Sequence, residues 1–105
     1  MDLSLLKVRH LRGFAALAEA LDLRRAAARL HISPRRLSAQ VDRLEALAGG
    51  RLCERAAARV RLTRAGEAFL PHVRKMLRQL EDIVDTAARL KDAATRSKTG
   101  GDTRR

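Results

Sequence analysis

Residues 23–47 read LRRAAARLHISPRRLSAQVDRLEAL, and the fold turns on how this stretch is arranged. Leu23, Ala26, Ala27 and Leu30 recur at the i, i+3, i+4, i+7 spacing of a buried helix face. His31-Ile32-Ser33 interrupts that pattern as a tight polar turn. Ser33 is a good N-cap, and Pro34 after it suits the first helical position, where its missing N–H costs nothing. Leu37, Val41 and Leu44 then share a face at about 100° per residue. That leaves Arg35, Ser38, Ala39, Asp42 and Arg43 pointing outward, with Arg36 on the flank. Such a pair of helices, the second with a basic outer face, is what a helix-turn-helix presents to a DNA groove. A helical hairpin with merely solvated arginines has the same pattern, and both readings stand at this point.

Composition narrows the partner. The chain has 105 residues, enough for one small domain with a modest core. Its 23 Lys+Arg, mostly arginine, against 12 Asp+Glu give a net charge of +11. A surplus of this size favours a polyanion, usually nucleic acid for a helical domain, with an anionic membrane surface as the competitor. No apolar run approaches the roughly 20 residues of a membrane span, and the start lacks a signal peptide's apolar stretch. A cytoplasmic protein with no membrane partner is therefore expected. The single Cys53 fits a reducing compartment. With no Trp or Tyr, and only Phe14 and Phe69, there is no aromatic platform for unpaired bases. Duplex DNA is the better-matched partner.

Around this centre, Leu11, Phe14, Ala18 and Leu21 mark a helix from about Ser4 to Ala20, and Asp22 stands where the next helix needs an N-cap. His10, His31 and His72 have no metal-ligand spacing, so no metal and no cofactor is expected, and His31 reads as a turn residue. After Gly49-Gly50 comes RLCERAAARVRLT, where Leu52, Val60 and Leu62 flank Ala56-Ala57-Ala58 as a two-stranded hairpin. Arg59 and Arg61 alternate outward there, placed to meet phosphates or a minor groove as a wing does, or else simply solvated. Cys53 reads as a small apolar filler.

Thr63 reads as the N-cap of a last helix reaching about Lys91. Phe69, Val73, Met76, Leu80, Ile83, Ala87 and Leu90 are spaced four, three, four, three, four, three, a heptad seam that asks for a second helix. In so small a chain that helix is most simply its own copy in a homodimer. A competing reading is that Phe69 and Val73 pack on the domain and only the distal half pairs, and the two are compatible. From Ala93 the composition turns polar, and a disordered basic tail over 93–105 is expected.

The runs AAARLHISPRRLSAQVDRLE and GGRLCERAAARVRLTRAGE closely resemble the N-terminal winged helix-turn-helix domain of LysR-type transcriptional regulators. The match covers about residues 5–90 and rests on the order and spacing of Ala26-Ala27, Leu30, Ser33, Leu37-Ser38, Gln40, Leu44-Glu45, Arg51-Leu52, Glu54-Arg55, Leu62-Thr63 and Ala65-Gly66-Glu67. The resemblance implies a mainly α fold: a three-helix core with a two-stranded β wing over 1–63, a long dimerisation helix over 64–92, then the tail. It implies that Pro34, Arg35, Ser38 and Ala39 face the major groove, and that Arg55 lies near the DNA backbone with the wing arginines Arg59 and Arg61. With Ser33, Arg36 and Arg43 these complete the candidate DNA-binding set. Pro34 stands where the family usually has glutamine, and Ala39 where it usually has arginine. Arg35 and Arg36, in places usually small or apolar, become the candidates for contact to guanine or for gripping phosphate. Cys53 replaces a usual phenylalanine, and the wing tip lacks the usual glycine.

Family members continue into an effector-binding α/β domain, whereas this chain ends in SKTGGDTRR with no strand beginning there. A stand-alone DNA-binding protein is expected, with no small-molecule effector implied. The expected function is sequence-specific binding of double-stranded DNA by a homodimeric transcription regulator. Competing classes are a modulator forming mixed dimers with a longer regulator and a nonspecific architectural DNA coater. An enzyme is not expected, since no nucleophile and base pair up and no glycine loop cradles phosphate.

Overall fold

The computed structural model describes residues 3–101, with side chains over 4–96. After a short 3₁₀ turn at Leu3–Leu5 come α1 (Val8–Ala20), α2 (Leu23–Leu30), α3 (Pro34–Ala48), β1 (Cys53–Ala56), β2 (Arg59–Leu62) and α4 (Arg64–Gly101).

The first helix begins later than its apolar periodicity predicts. Lys7 is extended, with φ −122° and ψ 149°. Its N–H donates to Nδ1 of His10 at 3.3 Å, while the His10 N–H donates to the Lys7 carbonyl at 2.9 Å. This exchange satisfies orphan groups at the helix start and separates α1 from the preceding turn. At the other end Leu21 adopts a left-handed φ of 53° and donates to the Leu17 carbonyl at 2.8 Å. Leu21 is consequently exposed and does not join the buried face assigned to it.

The punctuation marks of the helix-turn-helix act as read. The Asp22 carboxylate accepts from the Arg25 N–H at 3.0 Å and caps α2. The Ser33 hydroxyl accepts from the Arg36 N–H at 3.1 Å and caps α3. Between them His31 is a left-handed turn residue (φ 57°) whose N–H reaches the Ala28 carbonyl. Gly49 ends α3 at φ 83°, where a side chain would be strained.

The hairpin pairs Cys53 with Leu62, Glu54 with Arg61, Arg55 with Val60 and Ala56 with Arg59, antiparallel. It is also tied to the helices, since Val60 N–H donates to the Leu21 carbonyl at 3.1 Å and Leu23 N–H to the Ala58 carbonyl at 2.8 Å. The wing is thus sewn to the corner between α1 and α2. Thr63 then turns the chain into α4, its hydroxyl accepting from the Gly66 N–H at 3.0 Å and donating to the Arg51 carbonyl at 2.8 Å. A Cβ on Gly66 would sit 1.9 Å from the Leu52 carbonyl oxygen, so only glycine lets α4 approach the wing this closely.

The core has two adjoining parts. Leu17, Ala26, Ala27, Leu37, Val41, Cys53 and Val60 pack between the helix pair and the wing. Leu11, Phe14, Ala18, Leu44, Leu52, Leu70 and Val73 join α1 and α3 to the start of α4. Phe69 packs on Phe14 with ring centroids 6.1 Å apart. Phe69 and Val73 thus pack on the chain's own core, as one of the two readings of the heptad seam has it. Beyond them Met76, Ile83, Val84 and Leu90 are exposed, Ala87 is exposed and Leu80 is half-buried. Residues 93–101, expected to be disordered, continue α4. Alanine, lysine and arginine are good helix formers, and no breaker intervenes before Gly100. The last part of that expectation, 102–105, lies outside the described residues.

Candidate nucleic-acid interface

Four side chains lock α3 to the wing, and the lock decides which residues are free for a ligand. Glu45 is 6% exposed, yet every direction from its carboxylate is answered. Oε2 accepts the backbone N–H groups of Leu52 at 2.7 Å and Cys53 at 3.1 Å, and Oε1 accepts from Nη2 of Arg55 at 2.9 Å. Arg51 lies farther out, its Nε 3.7 Å from Oε2. A carboxylate so deep is tolerable only with such partners.

Arg55 completes the lock from the wing. Its Nη2 also meets Asp42 Oδ1 at 2.9 Å, and its Nη1 donates to the Ser38 hydroxyl at 2.6 Å. Its Nε is buried with no hydrogen-bond partner. The Arg55 side chain is only 14% exposed. Arg55, expected near a DNA backbone, has its guanidinium engaged by Ser38, Asp42 and Glu45 inside the protein. The strand pattern carried the signal: Cys53 and Arg55 are two apart on β1 and share its inner face, while Glu54 and Ala56 face out. Glu45 and Asp42 are the members of the lock that sequence reasoning missed as site residues.

With Arg55 withdrawn, the exposed basic groups define the outer surface. Pro34, Arg35, Arg36, Ala39 and Arg43 are exposed along α3, Ser33 is exposed at its start, and Ser38 is half-buried beneath Arg55. Arg35, Arg36 and Arg59 make no ion pair among the described residues. Arg61 meets Glu54 at 3.1 Å, but both side chains are largely solvated, so water and salt weaken the pair. Arg43 sits apart, lining a cavity with Lys7, Arg9 and His10 at the start of α1. Arg24 and Arg25 on α2 are further exposed cations. A neutral hydroxyl and two free guanidiniums at the N-terminal end of α3, beside a wing bearing two more, can hydrogen-bond base edges and grip phosphates.

The sequence pattern described as bacterial regulatory helix-turn-helix protein, lysR family, matches residues 8–67, more than half of the chain. The chain belongs to the LysR family. Among LysR-type relatives, the HTH-type regulator YnfL of Escherichia coli strain K12 is 46% identical over 85 residues, covering 81% of this chain and 29% of that protein. The HTH-type transcriptional regulator IlvR of Caulobacter vibrioides is 42% identical over 88 residues, covering 84% of this chain and 30% of that protein. The chain thus spans about three tenths of the length of these relatives. They are transcriptional regulators, not enzymes.

Solved structures agree with the LysR assignment. The chain superposes on CbnR_DBD in its DNA complex with TM-score 0.74 at 37% identity, covering 79% of this chain and 95% of that one. For BenM_DBD bound to catB site 1 DNA the values are 0.75 and 33%, covering 81% and 96%. The fold is the mainly helical winged helix-turn-helix expected from the sequence.

Proposed function

We propose that this chain is the DNA-binding and dimerising part of a transcription regulator that recognises specific double-stranded sequences as a homodimer. In this reading the N-terminal end of α3 enters the major groove, with Arg35 and Ser38 at base edges. Ser33, Pro34, Arg36 and Ala39 border it, and Arg59 and Arg61 of the wing meet the backbone or the minor groove. The observation that carries it is the bond from Arg55 to Ser38, which ties the wing to the outer face of α3. The relatives' DNA complexes support the class of ligand.

Pairing through α4 is supported by the exposed Ile83, Val84 and Leu90, which a lone helix leaves in water. The charge along α4 supports an antiparallel partner: Arg74, Lys75 and Arg78 precede Glu81, Asp82 and Asp85, so reversing the second copy sets opposite signs together. A cytoplasmic setting is part of the proposal, and among the described residues no helix is long and apolar enough to cross a membrane.

A salt titration of binding to duplex DNA tests the reading. Log affinity should fall linearly with log salt, with a slope of about −0.9 per phosphate contact. Binding insensitive to salt, or limited to single strands, contradicts it.

A further inference from the structure

We propose that Arg55 determines base specificity through Ser38, by fixing the Ser38 hydroxyl as a hydrogen-bond donor toward DNA. The inference rests on the reading that the outer face of α3 meets base edges, and goes beyond it by saying what kind of edge is read and which buried residue decides.

A serine hydroxyl carries one donor hydrogen and two acceptor lone pairs, and it ordinarily serves either kind of base edge. Arg55 Nη1 donates to Ser38 Oγ at 2.6 Å, a short charge-assisted bond that takes one lone pair. The guanidinium also places positive charge against the oxygen, which weakens the remaining lone pair as an acceptor and strengthens the O–H as a donor. Among the described residues the Ser38 hydroxyl donates to no other group. Its hydrogen is therefore the part left to point away from Arg55 and into a groove.

Arg55 cannot swing aside to release the constraint. Its side chain is 14% exposed, and Nη2 is held by both Asp42 and Glu45 at 2.9 Å. Glu45 is in turn fixed by the Leu52 and Cys53 N–H groups. The lock thus acts as a positioning device: backbone of the wing, then Glu45, then Arg55, then the hydroxyl that faces the ligand. Ser38 should accept the company of guanine N7 or O6, adenine N7 or thymine O4, and reject the amino hydrogens of cytosine N4 and adenine N6.

The test is a base-preference profile, measured by competitive binding to duplex libraries, for the whole chain and its variants. The position read by Ser38 is the one whose preference changes in Ser38→Ala. There the unaltered protein should disfavour a cytosine amino edge by roughly three- to tenfold. Arg55→Met should erase that penalty, and in the Ser38→Ala background it should change nothing at that position. A merely structural Arg55 would instead alter the profile whether or not Ser38 is present. Because Arg55→Met strands the Glu45 charge, the neutral pair Glu45→Gln/Arg55→Met is the companion variant, keeping an amide oxygen for the Leu52 and Cys53 N–H groups. It should give the same relaxed profile.

A profile that favours the cytosine amino edge in the unaltered protein overturns the inference. So does a penalty that survives the Glu45→Gln/Arg55→Met replacement, or a clear motif in which no position depends on Ser38. Equal retention of every sequence is a different failure, since it removes the sequence-specific reading itself.

Discussion

Arg55 Nη2 lies 2.9 Å from Glu45 Oε1, in a pair whose side chains are 14% and 7% exposed, and this contact joins the wing to α3. Without Glu45 the buried Arg55 guanidinium keeps only the more exposed Asp42 as a counter-charge, and losing one partner of a buried pair costs far more than the pair itself is worth. Glu45→Ala also strands the Leu52 and Cys53 N–H groups. We expect it to lower stability by about 3–5 kcal/mol, read from urea unfolding at fixed protein concentration. Glu45→Gln should lose less, because its amide oxygen still accepts from the wing backbone.

Gly66 makes a different demand on the same junction. An added Cβ would meet the Leu52 carbonyl oxygen at 1.9 Å, a contact that backbone cannot relieve without moving. Gly66→Ala should therefore cost more than about 2 kcal/mol, although alanine is the better helix former by propensity alone. Unchanged thermal stability would show that α4 and the wing are not packed as described.

The helix boundaries were legible because each one is written in local chemistry. Asp22, Ser33 and Thr63 each cap within three residues of themselves, and the alternation of Arg59 and Arg61 around Val60 shows which side of the hairpin faces out. The lock was not legible in the same way. Arg55 reaches Ser38 across 17 positions and Glu45 across 10, and nothing local to either residue announces the other. A carboxylate in the last turns of a helix reads as a solvated surface group until tertiary packing closes over it. The heptad seam left two readings open for a related reason: a regular apolar spacing says that a face will be covered, not by what. Phe69, Val73 and Leu77 pack on the chain's own core, while Met76, Ile83, Val84 and Leu90 stay exposed.

His10 gives the fold a pH dependence of predictable sign. Burial holds its pKa below the ordinary value near 6.5, with Arg9, Arg43 and Lys7 pushing the same way. The native chain thus binds a proton less readily than the unfolded chain. Its contribution is fully present above the unfolded value and is lost as pH falls through the lowered one. The thermal midpoint should drop as pH falls below the ordinary histidine value of about 6.5, and His10→Gln, which keeps an acceptor for the Lys7 N–H, should flatten that part of the curve. A drop of equal size in His10→Gln would place its origin elsewhere.

The exposed arginines and Ser38 should separate by role when substituted. Arg36→Ala and Arg59→Ala are expected to weaken binding to all duplexes alike and to reduce the salt slope by about 1 each. Arg35→Ala should change which sequences are preferred by about 1–3 kcal/mol at the affected position, and Ser38→Ala by roughly three- to tenfold at its own. Anisotropy titrations against a preferred and a scrambled duplex distinguish the two patterns. Equal losses on both duplexes for all four variants would remove the division between groups that hold and groups that read.

A two-fold symmetric protein that reads two copies of one DNA element should reveal itself in an in vitro selection. Purified protein is incubated with fragmented genomic DNA, and the retained fragments are sequenced. One inverted repeat should be recovered, its half-sites about one helical turn or a multiple of it apart. Uniform recovery with no shared motif would contradict it and leave a chain that holds DNA by charge alone.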